Sequence, residues 1–298
     1  MESNKKVFKA GFVNIIGNPN VGKSTLMNSL LGEKLSIVTP KAQTTRHRIL
    51  GILDGPDYQI VFSDTPGILK PHYKMHEAMM KAVESALEDA DVLIYMTDVV
   101  EKHDKNPEII RKINEISVPV LLLINKIDLA DQNAVAALVD LWQKEIPRAE
   151  VMAISAIHQP NLAGIIDRII TLLPEHPPFF PQGQLSDKTE RFFVEEIIRE
   201  KIFLHYAEEI PYSTHVEIES FREEESLVRI NAVIYVMRDS QKGILIGKKG
   251  EALKRIGIQA REEIESFLGK KVYLELFVKV RENWRDKPSS LRNFGYEL

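Results

Sequence analysis

Gly17, Gly22, Lys23 and Ser24 belong to the run GNPNVGKST, and residues of these types at this spacing suit a chain of phosphates. Glycines let backbone N–H groups turn inward, and a helix that opens at the lysine favours negative charge at its N-terminus. Lys23 adds a point charge, and Ser24 offers a hard oxygen of the kind magnesium prefers. Asn18, Pro19, Asn20, Val21 and Thr25 complete the loop. The run follows the apolar segment FVNIIG and precedes a helix-like stretch, the context that gives such a loop its meaning.

Three further clusters lie at the ends of other apolar runs. DTPG, with Asp64 and Gly67, ends QIVFSD; NKID, Asn125 to Asp128, ends VPVLLLIN; SAI, Ser155 to Ile157, ends EVMAIS. A carboxylate at Asp64 suits a magnesium shell reached through water, and the Gly67 N–H suits a γ-phosphate. Ligands of open α/β sheets bind where parallel strands end, so all four clusters converge on one place.

In this order the motifs resemble those of the translation-factor-like GTPases, from Val7 to Leu173. The resemblance implies GTP and GDP as ligands with Mg2+, and a catalytic set of Lys23, Thr45, Asp64 and Gly67. It implies that Ser24 and Thr45 ligate the metal while Asp64 acts through water, with Thr44 the rival to Thr45 in EKLSIVTPKAQTTRHRI. Asn125 and Asp128 would read guanine, with Lys126, Ser155 and the Ala156 backbone beside them. Adenine would leave a buried Asp128 unpaired, a penalty of about 1 to 3 kcal/mol. Ile68 stands where many signalling GTPases carry a water-orienting glutamine, and it has no hydrogen-bonding atom. Slow intrinsic hydrolysis is therefore expected, assisted by a partner or by K+. Asn20 matches an asparagine that holds K+ in related GTPases; turning the loop is its equally open alternative.

A second glycine-lysine run, ILIGKKGEALKRIG, lacks the longer glycine spacing, the preceding strand and the Ser or Thr after lysine. It fits instead the GXXG loop between two helices of a type II KH domain, which clamps the backbone of single-stranded nucleic acid. Gly247 and Gly250 permit close approach, Lys248 and Lys249 supply charge, Ile244, Ile246 and Leu253 are expected to line an apolar groove, and Lys254 extends the basic surface. From Lys242 to Arg261 six Lys/Arg face one acid, Glu251, whereas from Ser186 to Ser226 twelve Asp/Glu face five Lys/Arg. RNA rather than DNA follows only from the resemblance. The GTPase and KH parts together resemble a family of bacterial GTPases of small-subunit ribosome assembly. That implies the 3′ region of 16S rRNA and the 30S subunit as partners, with GTP favouring the RNA-competent state.

The elements that must position these residues alternate apolar runs with amphipathic stretches in the first half, an α/β pattern with a mostly parallel sheet. Asp54, Gly55 and Pro56 predict one antiparallel hairpin within it. Residues 1–173 form this domain; four prolines between 174 and 187 mark a linker; 188–280 form an α+β KH domain; 281–298 form a tail. The predicted order after the linker is a helix over Thr189 to Ala207, strands over Thr214 to Ser220 and Leu227 to Met237, a short helix, GKKG, a helix over Glu251 to Leu268 and a strand over Lys271 to Val280. His72 and His76 are read as a solvated stretch, Met75, Met79 and Met80 as core, and Trp284 as a tail anchor.

The chain has 298 residues, 44% hydrophobic and 28% charged, enough for about two ordered domains. It has no cysteine, which excludes disulfides and thiolate metal sites. A cytoplasmic monomer is expected, with no secretory signal in the N-terminal sequence and no apolar run of spanning length. Peripheral attachment at the inner face of the cell membrane is compatible with the sequence. Two rival functions stand beside the switch: an RNA-binding assembly chaperone with GTP as a structural ligand, and a GTPase of tRNA modification or of a membrane.

Overall fold

A computed structural model describes residues 7–101, 106–158 and 162–298. It divides into two compact units: Met1–Ser36, Thr45–Lys70 and Met80–Asp187 in the first, Ile37–Thr44, Pro71–Met79 and Lys188–Leu298 in the second.

The first unit is built on six strands, β1 (Lys9–Gly17), β2 (Ile49–Asp54), β3 (Tyr58–Asp64), β4 (Val92–Asp98), β5 (Val120–Asn125) and β6 (Glu150–Ala153). Their spatial order is β2-β3-β1-β4-β5-β6, with β2 antiparallel to β3 and the other pairs parallel. Every residue of β4 and β5 is buried, as continuous apolar runs require when helices cover both faces of a sheet. The predicted turn forms between β2 and β3, where the Gly55 N–H donates to the Tyr58 carbonyl at 2.9 Å. The helices are α1 (Lys23–Leu31), α2 (Lys74–Glu88), α3 (Pro107–Glu115), α4 (Gln132–Glu145) and α5 (Leu162–Leu172), of which α2 passes from the second unit into the first at Met80.

The proline-rich stretch departs from a free linker. The Ala10 and Ile52 N–H groups donate to the Pro174 and Leu185 carbonyls at 3.2 and 2.9 Å. Gln59 Oε1 accepts from the N–H groups of Phe179 and Phe180 at 2.7 and 3.0 Å. Proline removes donors but not acceptors, so such a segment still packs along strands that supply the N–H groups.

The second unit carries β7 (His215–Glu223), β8 (Leu227–Val236) and β9 (Lys271–Val280), with β7 antiparallel and β9 parallel to β8. Its helices are α6 (Glu190–His205), α7 (Ile210–Ser213), α8 (Asp239–Ile246), α9 (Glu251–Leu268) and α10 (Pro288–Asn293). Val194, Ile198, Ile202, Ile230, Ile234, Ile256 and Ile264 form the core between helices and sheet. β7 runs three residues beyond Ser220, past a register shift between Ile218 and Ser220 that lets the strand bend and continue. The tail belongs to this unit: Trp284 is fully buried and its Nε1 donates to the Ser213 carbonyl at 3.0 Å. Met75 and Met79 are buried too. His76 is not solvated as predicted; it is buried, with its ring centroid 3.7 Å from that of Tyr73.

Candidate nucleotide site and nucleic-acid interface

The loop from Gly17 to Gly22 joins β1 to α1 through backbone that side chains resist. Gly17 has φ 153°, and a Cβ there would stand 2.1 Å from the Met96 carbonyl oxygen. Gly22 has φ 104°, and a Cβ there would stand 2.4 Å from Asn125 Nδ2. Glycine is thus required by conformation and by space. Lys23 folds over the loop, its Nζ donating to the Gly17 and Asn18 carbonyls at 3.1 and 2.8 Å. It is only 6% exposed, and burial pulls its pKa down to about 8 against the raising charges of Asp64 and Glu101.

Beside it, Ser24 Oγ donates to Asp64 Oδ2 at 2.6 Å and lies 3.0 Å from Thr45 Oγ1, which is itself 3.3 Å from the same carboxylate oxygen. Thr44, the rival, is turned into its own loop, with its Oγ1 2.6 Å from that of Thr39. Asp64 is fully buried and its Oδ1 has no hydrogen-bond partner. Burial raises its pKa, opposed by the Ser24 hydrogen bond and the Lys23 charge. Two hydroxyls, with a carboxylate behind them that can act through water, suit a magnesium ion whose other ligands are phosphate and water oxygens. No cluster of three or more His, Cys, Asp or Glu that fits a metal occurs among the described residues. Gly67 sits against the loop, a Cβ there falling 2.8 Å from Pro19, and the next residue's N–H, on Ile68, donates to the Gly17 carbonyl at 3.1 Å. The Ile68 side chain is buried in the core.

At the far side Asn125 is a brace. Its Nδ2 donates to the Val21 carbonyl at 2.8 Å and its Oδ1 accepts the Ala156 N–H at 2.9 Å, which leaves one N–H and one lone pair of the amide for other partners. Lys126 Nζ donates to the Asn20 carbonyl at 2.7 Å. Asp128 accepts from Ser155 Oγ at 2.6 Å, and that bond lowers its pKa. Contrary to the expectation of a buried group, Asp128 is exposed, so a mismatched base would strand it only by covering it.

The second loop lies wholly in the second unit, between α8 and α9. Gly247 has φ 72° and a Cβ there would be 2.6 Å from that of Ala252; Gly250 has φ 80° with open space around it. Lys248 and Lys249 are both exposed. A groove of about 360 Å³ runs beside the loop, lined by Gly250, Leu253, Lys254, Gly257, Ile258, Arg261, Leu274 and Leu276. Leu253, expected in a groove, and Lys254, expected only on the basic surface, are both among its lining residues. Ile244, which is 52% exposed, and Ile246, partly buried against the core, are not among its lining residues. The α9 and β9 residues not named in the sequence analysis fit the period: Gly257 and Arg261 share one helix face with Leu253, and Leu274 and Leu276 one sheet face.

A 50S ribosome-binding GTPase family matches residues 12–126, and a KH domain family matches residues 209–285. GTPase Era of Staphylococcus haemolyticus (strain JCSC1435) is 46% identical over 97% of each chain. The chain belongs to the Era family of GTPases. A crystal structure of Era with MgGDPNP and nucleotides 1506–1542 of 16S ribosomal RNA superposes at TM-score 0.94, 42% identical over 98% of this chain and 100% of the other. An Aquifex aeolicus Era variant bound to GDP·AlF4⁻ matches at the same score, identity and coverage.

This Era-family chain also ties its effector loop to α6 within the second unit. The Val38 N–H donates to Glu200 Oε1 at 3.2 Å, Lys41 Nζ to the Phe203 and Tyr206 carbonyls, and Arg199 to the Thr44 carbonyl and to Glu196. Glu196, Arg199 and Glu200 are buried polar residues on a helix read only as acidic, and no spacing rule singles them out.

Proposed function

We propose that this chain hydrolyses GTP to GDP and phosphate and binds the 3′ region of 16S rRNA, acting as a cytoplasmic monomer in 30S subunit assembly. The observation that carries the enzymatic half is the Ser24–Thr45–Asp64 cluster beside Lys23. The hydroxyls of Ser24 and Thr45, with Asp64 behind them, hold magnesium, whose charge neutralises the β- and γ-phosphates. Lys23 and the loop amides fix the polyphosphate, and the Gly67 N–H meets its terminal group. Asp128 selects guanine by accepting from its two ring-edge donors, while Asn125 holds the base-reading loop on the phosphate loop. Ile68 supplies no group to orient water, so intrinsic turnover is slow and K+ at Asn20 speeds it.

The RNA half rests on the GKKG loop, whose glycines admit a strand's backbone and whose groove receives its bases. Residues 1–173 act as the GTPase domain, 174–187 as its closing segment, 188–280 as the RNA-binding domain and 281–298 as its anchor. Thr45 connects the two activities, since it needs the γ-phosphate and follows a loop tied to α6. Among the described residues no helix is long and apolar enough to cross a membrane. The test is affinity for a 16S 3′-terminal fragment with GDP and with a non-hydrolysable GTP analogue. Tighter binding with the analogue is expected; equal affinities would remove the coupling, because a ligand shifts only states it distinguishes. A hydrolysis rate equal to the protein-free control would leave a chaperone with bound GTP, and equal rates in K+ and Na+ would remove the cation.

A further inference from the structure

Two carboxylates stand at the carboxyl end of β4, neither of them in a motif singled out in the sequence, and one of them, Glu101, reaches the phosphate loop. Asp98 Oδ1 accepts the N–H groups of Val100 and Glu101 at 2.9 and 2.8 Å, turning the chain back as it leaves the sheet. That turn presents Glu101. Its Oε1 accepts from Thr97 Oγ1 at 2.6 Å, and its Oε2 accepts from Asn18 Nδ2 at 2.7 Å. Asn18 Oδ1 in turn accepts from Asn106 Nδ2. The carbonyl of the same Asn18 accepts the Lys23 ammonium at 2.8 Å. Asn18 is buried, so its side chain has little water to exchange these bonds for.

The sign of the charge is the informative part. Glu101 bonds the same Asn18 whose carbonyl holds the Lys23 ammonium, so it adds negative charge where a polyphosphate must bind. Electrostatics alone would select against it. We propose that Glu101 is a positioning residue for GTP binding and hydrolysis: it anchors Asn18 from behind, so that the Asn18 carbonyl and the Lys23 ammonium are set before the phosphates arrive. Preorganisation offsets the repulsion, because a loop already ordered loses less freedom on binding. Asn18, which the sequence places in the loop only by position, is the intermediary.

This inference rests on the GTPase reading. The experiment uses the full chain with Glu101→Ala, Glu101→Gln, Asn18→Ala and the double variant Asn18→Ala/Glu101→Ala. The dissociation constants of GDP and a GTP analogue, kcat and KM are measured, with thermal melts as a check on folding. Glu101→Ala is expected to weaken both nucleotides roughly three- to tenfold, the scale of one lost buried hydrogen bond. Glu101→Gln keeps an acceptor for Asn18 and is expected to restore affinity to within about twofold of the parent. The double variant should be no weaker than either single one, since both remove the same anchor. Tighter binding in both Glu101→Ala and Glu101→Gln would show that only the charge matters and would overturn the proposal, as would additive losses in the double variant. If Glu101→Ala fails to fold, the Gln variant and Asn18→Ala decide alone: parent-like affinity in Asn18→Ala overturns it. A parent protein that binds neither nucleotide would sink the GTPase reading itself, a result distinct from all of these.

Discussion

The two glycine-lysine loops use the same residue types for opposite physical purposes. At Gly17–Ser24 the lysine is buried and its burial lowers its pKa to about 8, so the cradle is built around an anion small enough to be enclosed. At Gly247–Gly250 both lysines stand in solvent beside an open groove, as a polymer that enters and leaves sideways requires. Desolvation makes a charge specific and pH-sensitive; exposure makes it general and salt-sensitive. The lesson is that glycine spacing brings backbone to phosphate in both places, while burial of the lysine decides whose phosphate it is.

The sharpest break of this contrast is removal of the buried charge. Lys23→Met should weaken GTP and GDP by roughly 100-fold or more, about 3 kcal/mol from lost charge-assisted hydrogen bonds. RNA affinity without nucleotide should be unchanged, as measured by fluorescence titration of each ligand separately. A loss below tenfold for nucleotide would erase the distinction between the loops.

The second break is pH. An ordinary lysine titrates near 10.5, and Lys23 near 8 in the nucleotide-free fold. Between those values the unfolded chain holds the proton and the folded chain has released it. The burial cost is therefore fully present below pH 8 and relieved as pH rises toward 10.5, a gain of about 3 kcal/mol for this group. Nucleotide binding has the reverse dependence, since phosphates need the ammonium. GDP affinity should fall as pH rises above 8, with net proton uptake on binding seen as a buffer-dependent calorimetric enthalpy.

The glycines sharpen the comparison at a smaller scale. Gly247→Ala meets both a positive φ and Ala252 at 2.6 Å, whereas Gly250→Ala meets only the φ, in open space. The first should destabilise the second unit by about 2 kcal/mol and the second by about 1 kcal/mol, read as shifts of a denaturant midpoint. Equal losses would mean that the loop is set by conformation alone.

Much of this was legible because phosphate chemistry imposes local patterns. GNPNVGKST, DTPG, NKID and SAI each stand at a strand end, and the structure gathers Ser24, Thr45 and Asp64 within hydrogen-bonding reach of one another. The mostly parallel sheet followed from apolar runs that suit buried strands and its one antiparallel hairpin from the turn at Asp54 to Pro56, whereas the strand order was not read. What was not legible depends on partners distant in sequence. Asn125 was read only as a base contact, and its residue type did not reveal that its amide also spans Val21 and Ala156. Glu101 ends no motif, and only the turn made by Asp98 aims it at Asn18. Glu196 and Arg199 lie in a stretch read only as acidic, since a pattern of charges does not reveal that they close on each other and on the Thr44 carbonyl. Period located the groove helix but not which of its faces the groove would occupy.

The smallest effect is the one that best isolates exposure. Lys248→Ala with Lys249→Ala removes two charges that solvent already screens, so affinity for the 16S 3′ fragment should fall only about tenfold at physiological salt. The logarithmic dependence on salt carries the stronger signal. Each phosphate contact on single-stranded nucleic acid releases about 0.7 of a counterion, so losing both lysines should flatten the slope by about 1.4. GTP affinity should stay at the parent value, because these side chains belong to the second unit and the phosphate cradle to the first. An unchanged slope with weakened binding would mean that the lysines shape the loop without meeting phosphate. The contrast between an enclosed and an exposed lysine would then hold for the first loop alone.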